Sequence, residues 1–204
     1  MSDELNFVMA ARREKMEAMR AVGIEPFAYS FDRTHTASEA VALAPADQTG
    51  ESDVKVRAAG RVVSIRGHGK TVFAHLADAS GRVQLYFRRD DIGEAFTRLD
   101  FVDIGDFIGV SGAVFRTRSG EATIRVAGFE ILAKSLRPLP FGKEEVAADG
   151  TIVKHMGFSD PEQRFRQRYA DLAVNADVRA TFVARAKMTS AIRGFLDARG
   201  YLEV

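Results

Sequence analysis

Phe73, His75, Gln84 and Tyr86, fenced by cations, are the residues of this sequence whose types and spacing could do chemistry. They lie in one stretch, Gly60 to Asp91, which reads GRVVSIRGHGKTVFAHLADASGRVQLYFRRDD. An aromatic ring stacks on a base, an amide offers a donor and an acceptor to a base edge, and cations neutralise phosphates. Together these are what a surface needs to hold unpaired nucleotides. Blander readings exist for each: a core phenylalanine, a solvated strand glutamine, a solvated charged face. The segment Arg66-Gly67-His68-Gly69-Lys70 resembles a phosphate loop only superficially. It lacks the P-loop spacing and its Ser/Thr, so it reads as a glycine-rich hairpin.

The elements that must position these residues are strands. Apolar and polar residues alternate, the period of a strand with one buried face. A first strand ends at Val62-Val63-Ser64-Ile65, a second runs from Thr71 to Ala77, and a third from Arg82 to Arg88. Val72, Ala74 and Leu76 point one way, Phe73 and His75 the other. Val83, Leu85 and Phe87 face the core, leaving Arg82, Gln84, Tyr86 and Arg88 on the opposite side.

Charge is informative only in its distribution. The 204 residues carry 29 Lys and Arg against 28 Asp and Glu, a net charge of +1. Yet between Val54 and Arg89 the cations Lys55, Arg57, Arg61, Arg66, Lys70, Arg82, Arg88 and Arg89 face the single carboxylate Asp78. The acidic surplus lies in Asp47–Asp53, Asp90–Asp106 and Glu144–Asp149. A local polyanion site is one account of that asymmetry, a solvated face the other. Cysteine is absent, which excludes disulfides, thiolate metal sites and a cysteine nucleophile. The four histidines are scattered without HxxxH spacing, so no metal site is expected. No run is long and apolar enough to span a bilayer, and the acidic start MSDELNF is unlike a signal peptide. A cytoplasmic protein without membrane partners is expected.

Along the chain, Ser2 to Val22 reads as a helix stopped by Gly23. Leu5, Met9, Met16 and Met19 form its apolar stripe, which reads as packing on the domain behind it, while Arg12, Arg13, Lys15 and Arg20 lie mostly off it; contact of these cations with a nucleic-acid backbone is an open option. Ile24 to Asp53 is a connector, pinned by Phe27, Tyr29 and Phe31, with a short helix near Ala37–Ala44 and a loop at Thr49–Asp53. Asp90 to Leu99 fits a short helix that buries Ile92, Ala95, Phe96 and Leu99. Strands follow at Asp106–Thr117 and Thr123–Leu132, joined by the hairpin Arg118-Ser119-Gly120-Glu121. Gly105, Gly109 and Gly112 are read as bends at a barrel corner. The order strand-strand-strand-helix-strand-strand predicts a mainly β protein with flanking helices, built on a five-stranded OB barrel whose second and third strands carry the oligonucleotide face.

The character changes at Leu136. Phe141–Met156 reads as a linker, Asp160 caps a short helix, and Asp177 opens a longer one with Val178, Phe182, Met188, Ile192 and Phe195 at helical spacing. Arg164, Arg166 and Arg168 read as structural ion-pair partners. Tyr201–Val204 should begin a strand, so the C-terminal part reads as an unfinished domain. The expected divisions are 1–53 (N-terminal helix and connector), 54–135 (barrel), 136–158 (linker) and 159–204 (start of a further domain).

Five segments in order carry a family resemblance: RREKMEAMRAVGIEPF, the Gly60–Asp91 stretch, SLRPLP, RFRQRYADL and IRGFLDARGYLEV. The chain resembles the N-terminal part of a bacterial-type class II lysyl-tRNA synthetase. The first and fourth segments favour the lysine enzyme over the aspartyl and asparaginyl relatives that share the barrel. The resemblance implies that the barrel binds the anticodon loop of a lysine tRNA. Phe73 matches a phenylalanine that stacks on the central uridine, and Gln84 a glutamine that bonds its edge. Arg66 matches a nearby arginine, and Glu121 a glutamate of the hairpin that contacts the anticodon. Lys70, His75, Arg82 and Arg88 would be weaker backbone contacts. The last segment is similar to the start of motif 1, whose helix and strand build the family's homodimer interface. Motifs 2 and 3, which hold ATP, Mg2+ and the amino acid, are absent, so this chain is expected to hold no cofactor or catalytic residue and to be inactive alone. The linker 141–158 is longer than the family's usual form. A free-standing OB protein that binds single strands without sequence preference is the alternative.

Overall fold

Five strands whose alternate residues are apolar can bury that face without any open edge by closing on themselves. The computed structural model describes residues 2–46, 51–146, 152–155 and 157–204, and it divides into two compact units, Met1–Pro138 and Leu139–Val204.

The first unit holds the barrel. Strand β1 (Glu51–His68) is long enough to pair with two neighbours. It runs antiparallel to β2 (Thr71–Ala77) over Arg61–His68 and to β4 (Phe107–Arg116) over Glu51–Arg61. Strand β3 (Arg82–Arg88) pairs antiparallel with β2 and parallel with β5 (Ala122–Ala133), which returns antiparallel to β4. The closed order is β1-β2-β3-β5-β4, the expected OB architecture. Leu76, Val83, Leu85, Phe87, Ile108 and Ile124 fill the interior at 1% exposure or less. Strand β1 begins earlier than expected, at Glu51, where the sequence suggested a loop; Thr49 and Gly50 lie outside the described residues.

The glycines of β4 serve close approach as well as bending. A Cβ on Gly109 would lie 2.4 Å from the Phe31 ring, and one on Gly112 only 1.9 Å from the Arg125 carbonyl oxygen. The ladder between β4 and β5 shifts register at Ser111/Gly112, the irregularity that bends this corner. The helix expected at Asp90–Leu99 is a turn of α-helix, α3 (Arg89–Ile92), followed by a 3-10 helix over Gly93–Phe101. Gly93 at φ +57 interrupts the α geometry, while Phe96 and Leu99 are buried as the pattern required.

Helix α1 (Ser2–Ala21) buries Met19 fully and Met9 and Met16 in part; the Leu5 side chain lies outside the described residues. For Arg12 the structure closes the option that the sequence left open. The residue is 8% exposed and donates to the carbonyls of Ser135 (2.6 Å) and Ile104 (2.9 Å), so it docks the helix and is not available to a nucleic-acid backbone. Lys15 likewise pairs with Asp103, and Arg20 with Glu17. Beneath them Lys134, wholly buried, donates to Asp103, to Asp106 (2.6 Å) and to the Phe101 carbonyl (2.6 Å). A buried charge persists only when its bonding capacity is met, and here three acceptors meet it.

In the connector, α2 (Ala37–Ala42) has both halves of a capping box, with Thr36 as cap and Glu39 reaching back. Phe31 packs under Arg57, 4.8 Å from ring centroid to guanidinium. Tyr29 pins nothing: it is fully exposed, against expectation.

In the second unit a two-stranded antiparallel ribbon, β6 (Lys143–Val146) with β7 (Ile152–His155), occupies what reads as a linker. Residues 147–151 and 156 of that linker lie outside the described residues. Asp160 caps α4 (Pro161–Arg166) through the Gln163 N–H, with proline in the first turn as expected. Helix α5 (Arg168–Val174) follows, and α6 (Ala176–Asp197) starts one residue ahead of Asp177. Arg164 and Arg168 bond the wholly buried Asp171 and Arg166 pairs with Glu162, the structural roles expected of all three. Burial alone would raise the Asp171 carboxyl, but bonds from Asn175 and Arg164 and the two guanidinium charges hold it below the usual carboxylate range. Tyr201–Val204 corrects another expectation: it forms no strand among the described residues.

Candidate nucleic-acid interface

Because β2 and β3 are in register, the outward residues picked out by alternation fall into two rows across the barrel wall. One row is Ser64, His75, Gln84 and Thr123, the other Arg66, Phe73, Tyr86 and Arg125. The second row is the stacking surface. Phe73 is partly buried, its ring centroid 4.9 Å from that of Tyr86 at an interplanar angle of 35°. Tyr86 in turn meets Phe115 edge-on at 6.0 Å. Tyr86 was legible on this face, whereas Phe115 was missed; only its alternation with the buried Val114 on β4 marked it.

The first row is polar and closely bonded. Gln84 Nε2 donates to Glu121 Oε2 at 2.6 Å, and the Thr123 hydroxyl donates to Gln84 Oε1 at 2.9 Å. His75 Nε2 lies 2.8 Å from Glu121 Oε1, and His75 Nδ1 2.8 Å from Ser64 Oγ. Gln84 is only 5% exposed, deeper than an open edge-reading amide would be, while the Glu121 side chain is 43% exposed. Glu121 is carried out to this row by a tight hairpin, closed by bonds from Gly120 N to the Thr117 carbonyl and from Glu121 N to the Thr117 hydroxyl. Thr123 and Ser64, the residues that complete the row, were not foreseen. Short hydroxyl side chains carry no pattern of their own.

The basic stretch resolves into two groups. Arg57 and Arg61 stack on Phe31 and Phe107, Arg61 also donates to the Gly105 carbonyl, and Arg89 covers Phe96. Arg88 pairs with Asp90. Arg66, Lys70 and Arg82 are exposed, and their side chains have no bonding partner among the described residues. At the edge of the stacking row Arg125 holds Asp91 through two bonds of 2.8 Å. Those bonds, against a smaller opposing effect of burial and with the charges of Arg125 and Arg88, keep the Asp91 carboxyl below its usual range.

A stacking row beside a polar row, edged by unpaired cations, fits single-stranded nucleic acid better than a small metabolite. Comparison with known proteins agrees. Residues 56–139 match the OB-fold nucleic acid binding domain, and residues 160–204 match the tRNA synthetases class II (D, K and N). The chain is similar over 98% of its length, at 46% identity, to the lysine–tRNA ligase of Carboxydothermus hydrogenoformans, of which it covers 38%. It is 42% identical to that of Bacillus subtilis over 99% of its length (39% of the relative), and 45% identical to that of Pelotomaculum thermopropionicum over 99% (37% of the relative). Along nearly its whole length the chain is similar to the front part of class II lysine–tRNA ligases. It spans less than half the length of these curated relatives.

The barrel therefore coincides with the OB-fold match, and the helices after Asp160 with the class II match. Among the described residues no three His, Asp or Glu side chains gather where a metal ion would sit. No helix among them is long and apolar enough to cross a membrane.

Proposed function

We propose that the barrel, residues 54–135, is the anticodon-binding domain of a lysine–tRNA ligase. In this reading 1–53 buttress it, 136–158 link it onward, and 159–204 open the catalytic domain. The parent reaction is ATP- and Mg2+-dependent attachment of lysine to its tRNA, carried out in the cytoplasm by a homodimer. The observation that carries the reading is the adjacency of the Phe73–Tyr86 shelf to the Gln84–Glu121 pair, with Arg66, Lys70 and Arg82 unpaired beside them. The Phe73 ring takes the splayed central base of the loop, a uridine, and Gln84 with Glu121 reads its edge. Arg66, Lys70 and Arg82 hold phosphates, joined by Arg88, which makes binding salt-sensitive.

A second reading draws on the burial of Gln84, whose amide is already bonded at both ends. An amide so engaged would orient its neighbours without reading a base, and the face would then bind single strands without preference. The two separate cleanly in a titration of anticodon stem-loops carrying a central uridine or a central cytidine. Phe73→Ala is expected to weaken binding of the uridine loop by about 1–3 kcal/mol. Gln84→Ala is expected to narrow the gap between the two loops. Equal affinity of the unmutated chain for both loops would leave the non-specific reading in possession, and unchanged affinity in Phe73→Ala would remove that ring from the site.

A further inference from the structure

We propose that His75 is a positioning residue for specificity: it holds the Glu121 carboxylate beside Gln84, so that the pair accepts uracil and turns cytosine away. The inference rests on the anticodon-loop reading above. It starts from a continuous set of bonds, Ser64 to His75 to Glu121 to Gln84 to Thr123, with distances of 2.8, 2.8, 2.6 and 2.9 Å.

The proton positions follow from what each group can do. An ionised carboxylate only accepts, so His75 Nε2 carries the proton that bonds Glu121. In the neutral ring Nδ1 is then an acceptor, and the Ser64 hydroxyl donates to it. The carboxylate thus sets the tautomer, Ser64 fixes the ring plane, and the ring holds Glu121 Oε1. The hairpin bonds secure the Glu121 backbone, and among the described residues its carboxylate has two hydrogen-bond partners, His75 on Oε1 and Gln84 on Oε2.

The pair so held has a polarity. Gln84 Nε2 keeps a second N–H, and the carboxylate keeps unused lone pairs. A donor beside a fixed acceptor matches the O4 and N3–H of a uracil edge. Cytosine presents an N3 lone pair where uracil presents N3–H, so it would set an acceptor against the carboxylate. Discrimination thus depends on where that carboxylate stands. Without the imidazole, a side chain 43% exposed keeps a single bond, from Gln84, about which it can swing toward water. Thr123 would still hold the Gln84 carbonyl, and the stacking shelf would be untouched.

The experiment compares uridine-loop and cytidine-loop affinities for the full 204-residue chain and its variants. The unmutated chain should prefer the uridine loop. His75→Ala should lower that preference by roughly five- to tenfold, chiefly by losing affinity for the uridine loop. His75→Gln, whose amide N–H reaches about as far as Nε2, should restore most of it. Phe73→Ala should weaken both loops alike. If the unmutated chain binds neither loop, or both equally, the anticodon reading and this inference fall together. If it prefers uridine and folded His75→Ala keeps the full preference, only the role of His75 falls. Should His75→Ala fail to fold, Ser64→Ala decides: it leaves the imidazole but frees its plane, and an unchanged preference would overturn the proposal.

Discussion

In the barrel Leu76, Leu85, Phe87 and Val110 are wholly buried, whereas in α6 Phe182, Met188, Ile192 and Phe195, spaced just as regularly, are 36–61% exposed. The two regions differ in topology more than in amphipathic quality. A strand of the barrel finds its partners among four others in the same unit, so each apolar row closes on the next. The apolar stripe of α6 finds no such partner among the described residues, and no α6 residue is buried. Helical spacing therefore marks a face that wants cover without saying where the cover comes from.

The largest expected effect of that difference lies in local stability. Amides of β2, β3 and β4 should exchange only through global unfolding, at a cost of about 5–15 kcal/mol, while those in the middle of α6 should open for a small fraction of it. Hydrogen exchange read by mass spectrometry on the dilute chain measures both together. Protection of α6 equal to that of β4 would break the comparison, because its apolar face would then have to be covered in solution.

How legible each region was follows the same division. Alternation alone placed β2 and β3 to the residue and put Phe73, His75, Gln84 and Tyr86 on one face, because strand geometry leaves a side chain only two directions. It failed where contacts are long-range. The seating of Arg12 against two carbonyls depends on loops some ninety or more residues away, and nothing local distinguishes it from the exposed Arg13. The engagement of Gln84 was hidden for a related reason: Thr123 and Glu121 reach it from β5 and its hairpin, through the only parallel pairing in the barrel. The ribbon β6–β7 was read as linker because its short segments alternate too little to be seen. The Tyr201–Val204 strand was expected from composition, but a strand requires a neighbour.

Acid sharpens the contrast by a smaller amount, since each unit has its own ion-paired carboxylate, Asp103 half-buried and Asp171 wholly buried. Burial pushes the Asp103 carboxyl upward, but bonds from Lys134 and Lys15, with their charges, prevail and hold it below its ordinary range. A carboxyl depressed in the folded state contributes stability that is fully present above its unfolded pKa of about 4 and is lost as pH falls through the folded value. The barrel should therefore lose stability progressively below about pH 5. Asp103→Asn should flatten that slope while lowering stability at neutral pH, as seen in thermal melts by near-UV circular dichroism. Asp171, depressed in the same direction, should make the second unit acid-sensitive independently of Asp103. Parallel slopes in wild type and Asp103→Asn would show that the acid response arises elsewhere.

The smallest expected effect concerns how helices are started in the two regions. Helix α6 begins at Asn175 with no side-chain cap, yet runs for 22 residues; α2 has only six residues and a complete cap. Each of its first four N–H groups is bonded: Ala37 to Asp78 (2.9 Å), Ser38 to the Ser80 hydroxyl (3.0 Å), Glu39 to the Thr36 hydroxyl (3.3 Å), and Ala40 to the Thr36 carbonyl (3.0 Å). So short a helix has no cooperative length to hold it, and its ends must be fixed by the barrel turn that carries Asp78 and Ser80. Thr36→Ala removes one of those bonds and the hydroxyl bond to Glu39, and should cost about 1 kcal/mol in urea denaturation. A loss near zero would mean that Asp78 and Ser80 seat α2 unaided. A loss above about 3 kcal/mol would mean that Ala37 and Ala40 leave the core with the cap, tying this connector to the barrel more tightly than capping alone explains.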